Sequence, residues 1–183
     1  FIPFPAESAD NITDHAQLTQ EIRYNTDIGE KVNATIGGYL FYENLELVNL
    51  SYDTPANNAE NGRAVQDQET TSLAVFGSAE IEATERLTAT VGLRLTSEEK
   101  DFVASRILGP FGTPPLGPIE RDLSDTVVTG DQALNYELNG QVNLYARYAR
   151  GFRAPNVQGR LVFGDVVTVA DSETIDSVEA GFK

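Results

Sequence analysis

The chain has 183 residues, enough for one ordinary domain, with a net charge of −15 and no cysteine. That charge excludes nucleic acid as a partner, whose phosphates call for Lys and Arg, and the lack of thiols excludes a disulfide framework or a thiolate site. No run reaches the roughly 18 apolar residues of a membrane-spanning helix, and the mean hydropathy is −0.27; this leaves soluble domains and transmembrane barrels, whose strands are apolar only at alternate positions.

Residues 1–17 read as irregular, with Pro3 and Pro5 early, and the only histidine, His15, reads as a surface residue. Residues 18–24 alternate, with Leu18, Ile22 and Tyr24 opposed to Thr19, Glu21 and Arg23. After a short turn at 27–31, Val32, Ala34, Ile36, Gly38, Leu40 and Tyr42 oppose Asn33, Thr35, Gly37, Tyr39 and Phe41. Gly37-Gly38 in mid-strand predicts a bulge or bend. Residues 43–68 read as a long loop. Leu73, Val75, Gly77, Ala79 and Ile81 then oppose Ser72, Ala74, Phe76, Ser78, Glu80 and Glu82. A turn at 84–86 leads to the clearest strand: Leu87, Ala89, Val91, Leu93 and Leu95 against Thr88, Thr90, Gly92, Arg94 and Thr96.

A second long loop covers 100–123, where GPFGTPPLGP forbids regular structure. Residues 134–155, LNYELNGQVNLYARYARGFRAP, read as two strands around one turn. Leu134 and Tyr136 share a face, as do Val142, Leu144, Ala146 and Tyr148, opposite Asn143, Tyr145 and Arg147. A three-residue loop at 138–140 with Gly140 left-handed keeps each face uniform and pairs Tyr136 with Val142. A third long loop covers 151–173, in which VFGDVVTV supplies a short strand, and a last strand starts near Thr174. The absence of Met, the start at Phe1 and an end in mid-alternation are read as marks of a piece of something longer.

Connections thus alternate short and long, the pattern of an antiparallel up-and-down transmembrane β-barrel with short periplasmic turns and long extracellular loops. A strand of about 10 residues tilted by about 45° crosses the hydrocarbon layer, and residues 87–96 have that length. Tyr24, Tyr42, Tyr136 and Tyr148 stand near the ends of apolar stretches, where such barrels carry aromatic girdles. The alternative is a soluble extracellular β-sandwich binding domain, which alternates in the same way but buries its apolar face against a second sheet.

The segments SLAVFGSAEIEATERLTATVGLRLTSEEKDF, ALNYELNGQVNLYARYARGFRAPN and SETIDSVEAGFK, in this order, resemble successive strands of TonB-dependent outer-membrane receptor barrels. The resemblance covers the chain from about Leu18 onward. It implies a partial barrel domain over 1–183, set in a parent of about 22 strands with a plugged lumen. It further implies energised uptake of a scarce nutrient such as a ferric siderophore, in the outer membrane of a Gram-negative bacterium. The implied partners are outer-membrane lipid and lipopolysaccharide, TonB acting through a plug outside this sequence, and a small ligand such as a metal chelate.

Chemistry beyond binding is poorly supplied. One histidine and no cysteine provide neither a nucleophile–base pair nor a transition-metal cluster, and neither a catalytic role nor a cofactor is expected. Glu98, Glu99 and Asp101 have the oxygen ligands a calcium ion takes, but strand neighbours point to opposite faces, so a charged rim is the better reading. Glu80, Glu82, Arg94, Tyr145 and Arg147 fall on the polar face and are the candidate lumen-facing residues. Arg150 and Arg153, beside Gly151 and Pro155, are candidate rim anchors, for lipopolysaccharide phosphates or for ligand.

Overall fold

A computed structural model describes residues 7–183. Seven strands form one antiparallel sheet in the order β1 (Glu7–Ile28), β2 (Val32–Asp53), β3 (Ala59–Thr84), β4 (Leu87–Leu108), β5 (Leu116–Asn139), β6 (Val142–Arg153) and β9 (Glu173–Phe182). A small hairpin, β7 (Asn156–Gln158) with β8 (Thr168–Ala170), lies in the connection from β6 to β9. Apart from β9, each strand of the large sheet pairs with its successor in sequence, so the path is the up-and-down meander that the alternation implies. The sheet is open, with β1 and β9 at its edges.

The ladders run farther than the alternation of apolar residues. β1 to β5 have 22–26 residues each, roughly 70–90 Å of extended chain. Strand pairing continues through Tyr52↔Glu60, so the first long connection is 54–58 and not 43–68. The second shrinks from 100–123 to 109–115, with a 3-10 turn at Pro110–Gly112. β1 begins at Glu7, so the segment read as irregular is mostly strand; residues 1–6 of it lie outside the described residues. The physical reason is common to all three. Polar side chains stand on both faces of each stretch, exposed at 7–17 and buried at Asn49, Ser51 and Arg106, so the apolar period disappears while backbone hydrogen bonding continues. At the opposite end the connections are short: 29–31, 85–86 and 140–141.

Two local readings are corrected. Tyr136 pairs with Leu144 and not with Val142, because an irregularity between Glu137 and Asn139 absorbs one residue before the turn. The bulge keeps each face uniform, and the turn is held by the Gln141 N–H donating to Asn139 Oδ1 at 3.0 Å. Gly140 does not adopt a positive φ; Gly29, in the β1–β2 turn, does, at 67°. Gly29→Ala is therefore expected to cost about 1 kcal/mol and Gly140→Ala less than about 0.5 kcal/mol, as read by chemical unfolding in detergent. Gly37 and Gly38 cause no bulge: both sit in unbroken register between β1 and β3. A Cβ at Gly37 would lie 2.7 Å from the Ile22 carbonyl and would collide with Phe76 Cζ. Close packing of a ring on the backbone, and not a kink, demands that glycine.

The pairing sorts side chains onto two faces. Leu18, Ile22, Ile36, Leu73, Val75, Leu93, Leu95, Val128, Leu134, Leu144, Val178 and Phe182 lie on one, and all are exposed. Nothing in the sheet covers this face. The buried cluster lies on the other side, near the long connections, where Leu161, Val162 and Val167 pack on Ala64, Phe102 and Ala104.

Candidate functional site

The apolar face has borders at both ends. Near the short turns, Tyr24 pairs with Ile36, and Tyr136 with Leu87 and Leu144. Toward the long connections, Tyr42 pairs with Leu18, and Tyr148 with Val178. Each of this second pair donates its hydroxyl to a carboxylate beyond the border, Tyr42 to Glu69 at 3.1 Å and Tyr148 to Asp176 at 2.7 Å. Past Tyr42 the same face turns acidic, with Glu46 opposite Asp67 and Glu69 opposite Asp101. An amphipathic ring with its body on the apolar side and its hydroxyl on the wet side is how tyrosine sits at a membrane interface.

The opposite face carries the sequence-predicted polar residues. Arg94 lies opposite Phe76 and Thr129, Glu80 opposite Asn33 and Thr90, and Glu82 opposite Thr88. Tyr145 lies opposite Gly181 and Arg147 opposite Glu179. Arg94 and Arg147 border one open hollow of about 520 Å³, together with Glu21, Arg23, Phe76 and Asp131. Two guanidiniums lie over the Phe76 ring there, Arg23 at 5.8 Å and Arg94 at 5.7 Å from its centroid, and Arg94 also stands 5.0 Å from the Tyr39 ring. Glu21 pairs with Arg23, and Arg94 donates from Nε to Thr96 Oγ1 at 3.0 Å. Among the described residues, Arg147 has no carboxylate within ion-pair distance. Glu80 and Glu82 are not part of this hollow; they line another near the β1–β2 turn with Asp27 and Lys31. Tyr145 donates to Glu179 at 3.0 Å and covers Gly181.

Arg150 and Arg153, which the sequence leaves equivalent, separate by face. Arg150 is on the apolar side beside Tyr148, 3.3 Å from Asp176. Arg153 is on the polar side, 3.7 Å from Glu173. Glu98 faces the polar side, and Glu99 and Asp101 the other. Burial pushes the Glu98 carboxyl up, partly offset by Lys100. A carboxyl raised on folding contributes stability that is full below its unfolded pKa and lost as pH rises through the folded one. Glu98→Gln is thus expected to flatten that decline, measured as the unfolding midpoint between pH 4 and pH 7. His15, read as a surface residue, reaches across to Glu43 at 3.0 Å.

The residues that the sequence did not disclose are Tyr39 and Phe76, whose stacking with arginine depends on register, and the two buried cations of β4, Lys100 and Arg106. Lys100 donates to the Pro155 carbonyl at 3.1 Å, and Arg106 to the carbonyls of Pro114 at 2.9 Å and Leu161 at 3.0 Å. Their partners lie up to 59 residues away, beyond any local pattern.

Comparison with known proteins bears on this geometry. A family model described as TonB dependent receptor-like, beta-barrel matches residues 4–183. Among solved structures, the ferric yersiniabactin uptake receptor FyuA of Yersinia pestis aligns with a TM-score of 0.80 and 18% identity, over 97% of this chain and 27% of that one. The ferric-catecholate import receptor Fiu of E. coli K12 in its closed form aligns with a TM-score of 0.55 and 15% identity, over 75% of this chain and 23% of that one. At these identities the likeness is one of fold, and this chain spans about a quarter of those receptors' length. No curated protein matches. The comparisons favour barrel wall over the β-sandwich alternative.

Proposed function

This chain belongs to the TonB-dependent receptor β-barrel family, and we propose that it is a length of barrel wall in an outer-membrane receptor that takes up a scarce nutrient, in the class of ferric chelates, with energy delivered through TonB. The observation that carries this reading is the uncovered apolar face, continuous over seven strands and bordered by tyrosines at both ends. A face of that extent needs an apolar solvent. Backbone N–H and C=O groups at the free edges of β1 and β9 would each cost several kcal/mol in lipid. Strands outside this sequence therefore complete the barrel. The names of the two structural neighbours support the ferric-chelate class; both are receptors for iron complexes.

In this reading Glu80, Glu82, Arg94, Tyr145 and Arg147 face the lumen. The plug that contacts TonB lies outside this sequence. Arg150, beside Tyr148 at the border, stands at the height of lipopolysaccharide phosphates, whereas Arg153 is on the side a ligand passes. The test is uptake of a panel of radiolabelled ferric chelates by iron-starved cells, with and without the gene, in hosts that have or lack TonB. Uptake that requires both the gene and TonB is the expected result. Uptake of every chelate that is indifferent to either one would overturn the reading.

A further inference from the structure

The connection from β6 to β9 does not hang from the sheet as a loop. It leaves β6 after Arg153, folds back over the polar face, and returns to β9 at Glu173. Along the way it meets four anchors. Lys100 donates to Pro155 O and, at 3.4 Å, to Asn156 Oδ1. Arg106, 3% exposed, donates to the carbonyls of Leu161 and Gly164 and to Asp165 Oδ1 at 2.5 Å. Leu161 and Val162, both fully buried, fill the cluster with Phe102 and Ala104. Arg160 reaches the first strand of the sheet, 3.1 Å from Asp10 Oδ1 and 3.4 Å from Ser8 Oγ. Two glycines allow the approach: a Cβ at Gly159 would lie 2.5 Å from Phe102 Cζ, and one at Gly62 would lie 2.9 Å from Val162 Cγ2.

We propose that residues 154–172 form a fixed strap across the mouth of the barrel, latched by Arg106 and Lys100, that narrows the opening and stays docked while ligand passes. The inference rests on the barrel reading above. A mobile gate exchanges contacts with solvent at little cost, but releasing this segment exposes an apolar cluster and strips a buried guanidinium of three of its four acceptors. The two cations of the latch come from one strand and meet backbone carbonyls, so no change of a strap side chain other than Asp165 or Asn156 weakens them directly.

The test uses the full-length receptor in intact cells, with heat-modifiable migration in the outer-membrane fraction as the separate check that a barrel has formed. A cysteine replaces the buried valine (Val162→Cys), and its labelling by a membrane-impermeant maleimide is timed. Slow labelling is expected, rising by at least about tenfold when Arg106→Ala is added; if that variant does not assemble, Asp165→Asn is expected to raise it by a smaller factor. Rapid labelling with the latch intact would overturn the proposal, as would no rise in either variant. A disulfide tether between Gly62→Cys and Val162→Cys is expected to leave uptake within about twofold of the reduced form, since a docked strap has nothing further to lose. Uptake abolished by the tether and restored by reductant would show instead a gate that must open. Loss of heat-modifiable migration in the parent receptor would fail the barrel reading, not the strap.

Discussion

Leu93→Arg is expected to cut the amount of assembled receptor in the outer membrane severely, while Thr90→Arg, three residues earlier on the same strand, leaves it near normal. Leu93 lies in the middle of the apolar face, 57% exposed, between Gly77 and Gly130 on the neighbouring strands. No side chain on either neighbour shields a guanidinium there, and an arginine at the midplane of a barrel's lipid face costs about 2–4 kcal/mol. Thr90 faces the other way and pairs with Glu80, so an arginine there meets water and a carboxylate. The contrast isolates the face from the strand. Equal assembly of the two variants, measured as heat-modifiable protein in the outer-membrane fraction, would mean that the apolar face does not meet lipid.

Phe102→Ala is expected to cost about 3–5 kcal/mol and to free the β6–β9 connection while the strands stay paired. Phe102 is 3% exposed and sits in the buried cluster with Val162 and Val167, its ring against Gly159 of the strap. Removing the ring leaves a cavity that β4 cannot close, because its ladders to β3 and β5 hold the backbone in place. Limited proteolysis of the receptor should then cut within 154–172, with Phe102→Leu intermediate. Unchanged resistance in the alanine variant would mean that the strap is held by its polar anchors alone.

The sequence discloses this fold wherever one face of a strand is apolar. In residues 87–96 the alternation of Leu87, Ala89, Val91, Leu93 and Leu95 assigns both strand and face, and the structure agrees residue by residue. It discloses less where the chemistry on both sides is alike. Residues 43–53 and 59–68 pair as strands while carrying polar groups on both faces, so they read as loop. Register is legible only to within a bulge: face uniformity is a constraint that a three-residue turn and an irregularity near Leu138 satisfy equally. The strap is not legible at all. Val162, Val167, Phe102 and Ala64 form one cluster from three distant segments, and VFGDVVTV taken alone predicts a short strand, of which only Thr168 and Val169 are realised, as part of β8. The polar-face residues were legible as a set, from parity, but the stacking of Arg23, Phe76 and Arg94 requires knowing that β1, β3 and β4 come level at Gly37.

The proposed function requires that the exposed face of this sheet be solvated by lipid within a closed barrel. It is tested most directly by expressing the full-length protein in a Gram-negative host, isolating the outer membrane, and running it on denaturing gels with and without boiling. The expected result is a protein that fractionates with the outer membrane and migrates faster before boiling than after, as a detergent-resistant barrel does. Recovery in the periplasm or medium, as a soluble protein whose migration boiling does not change, would contradict it.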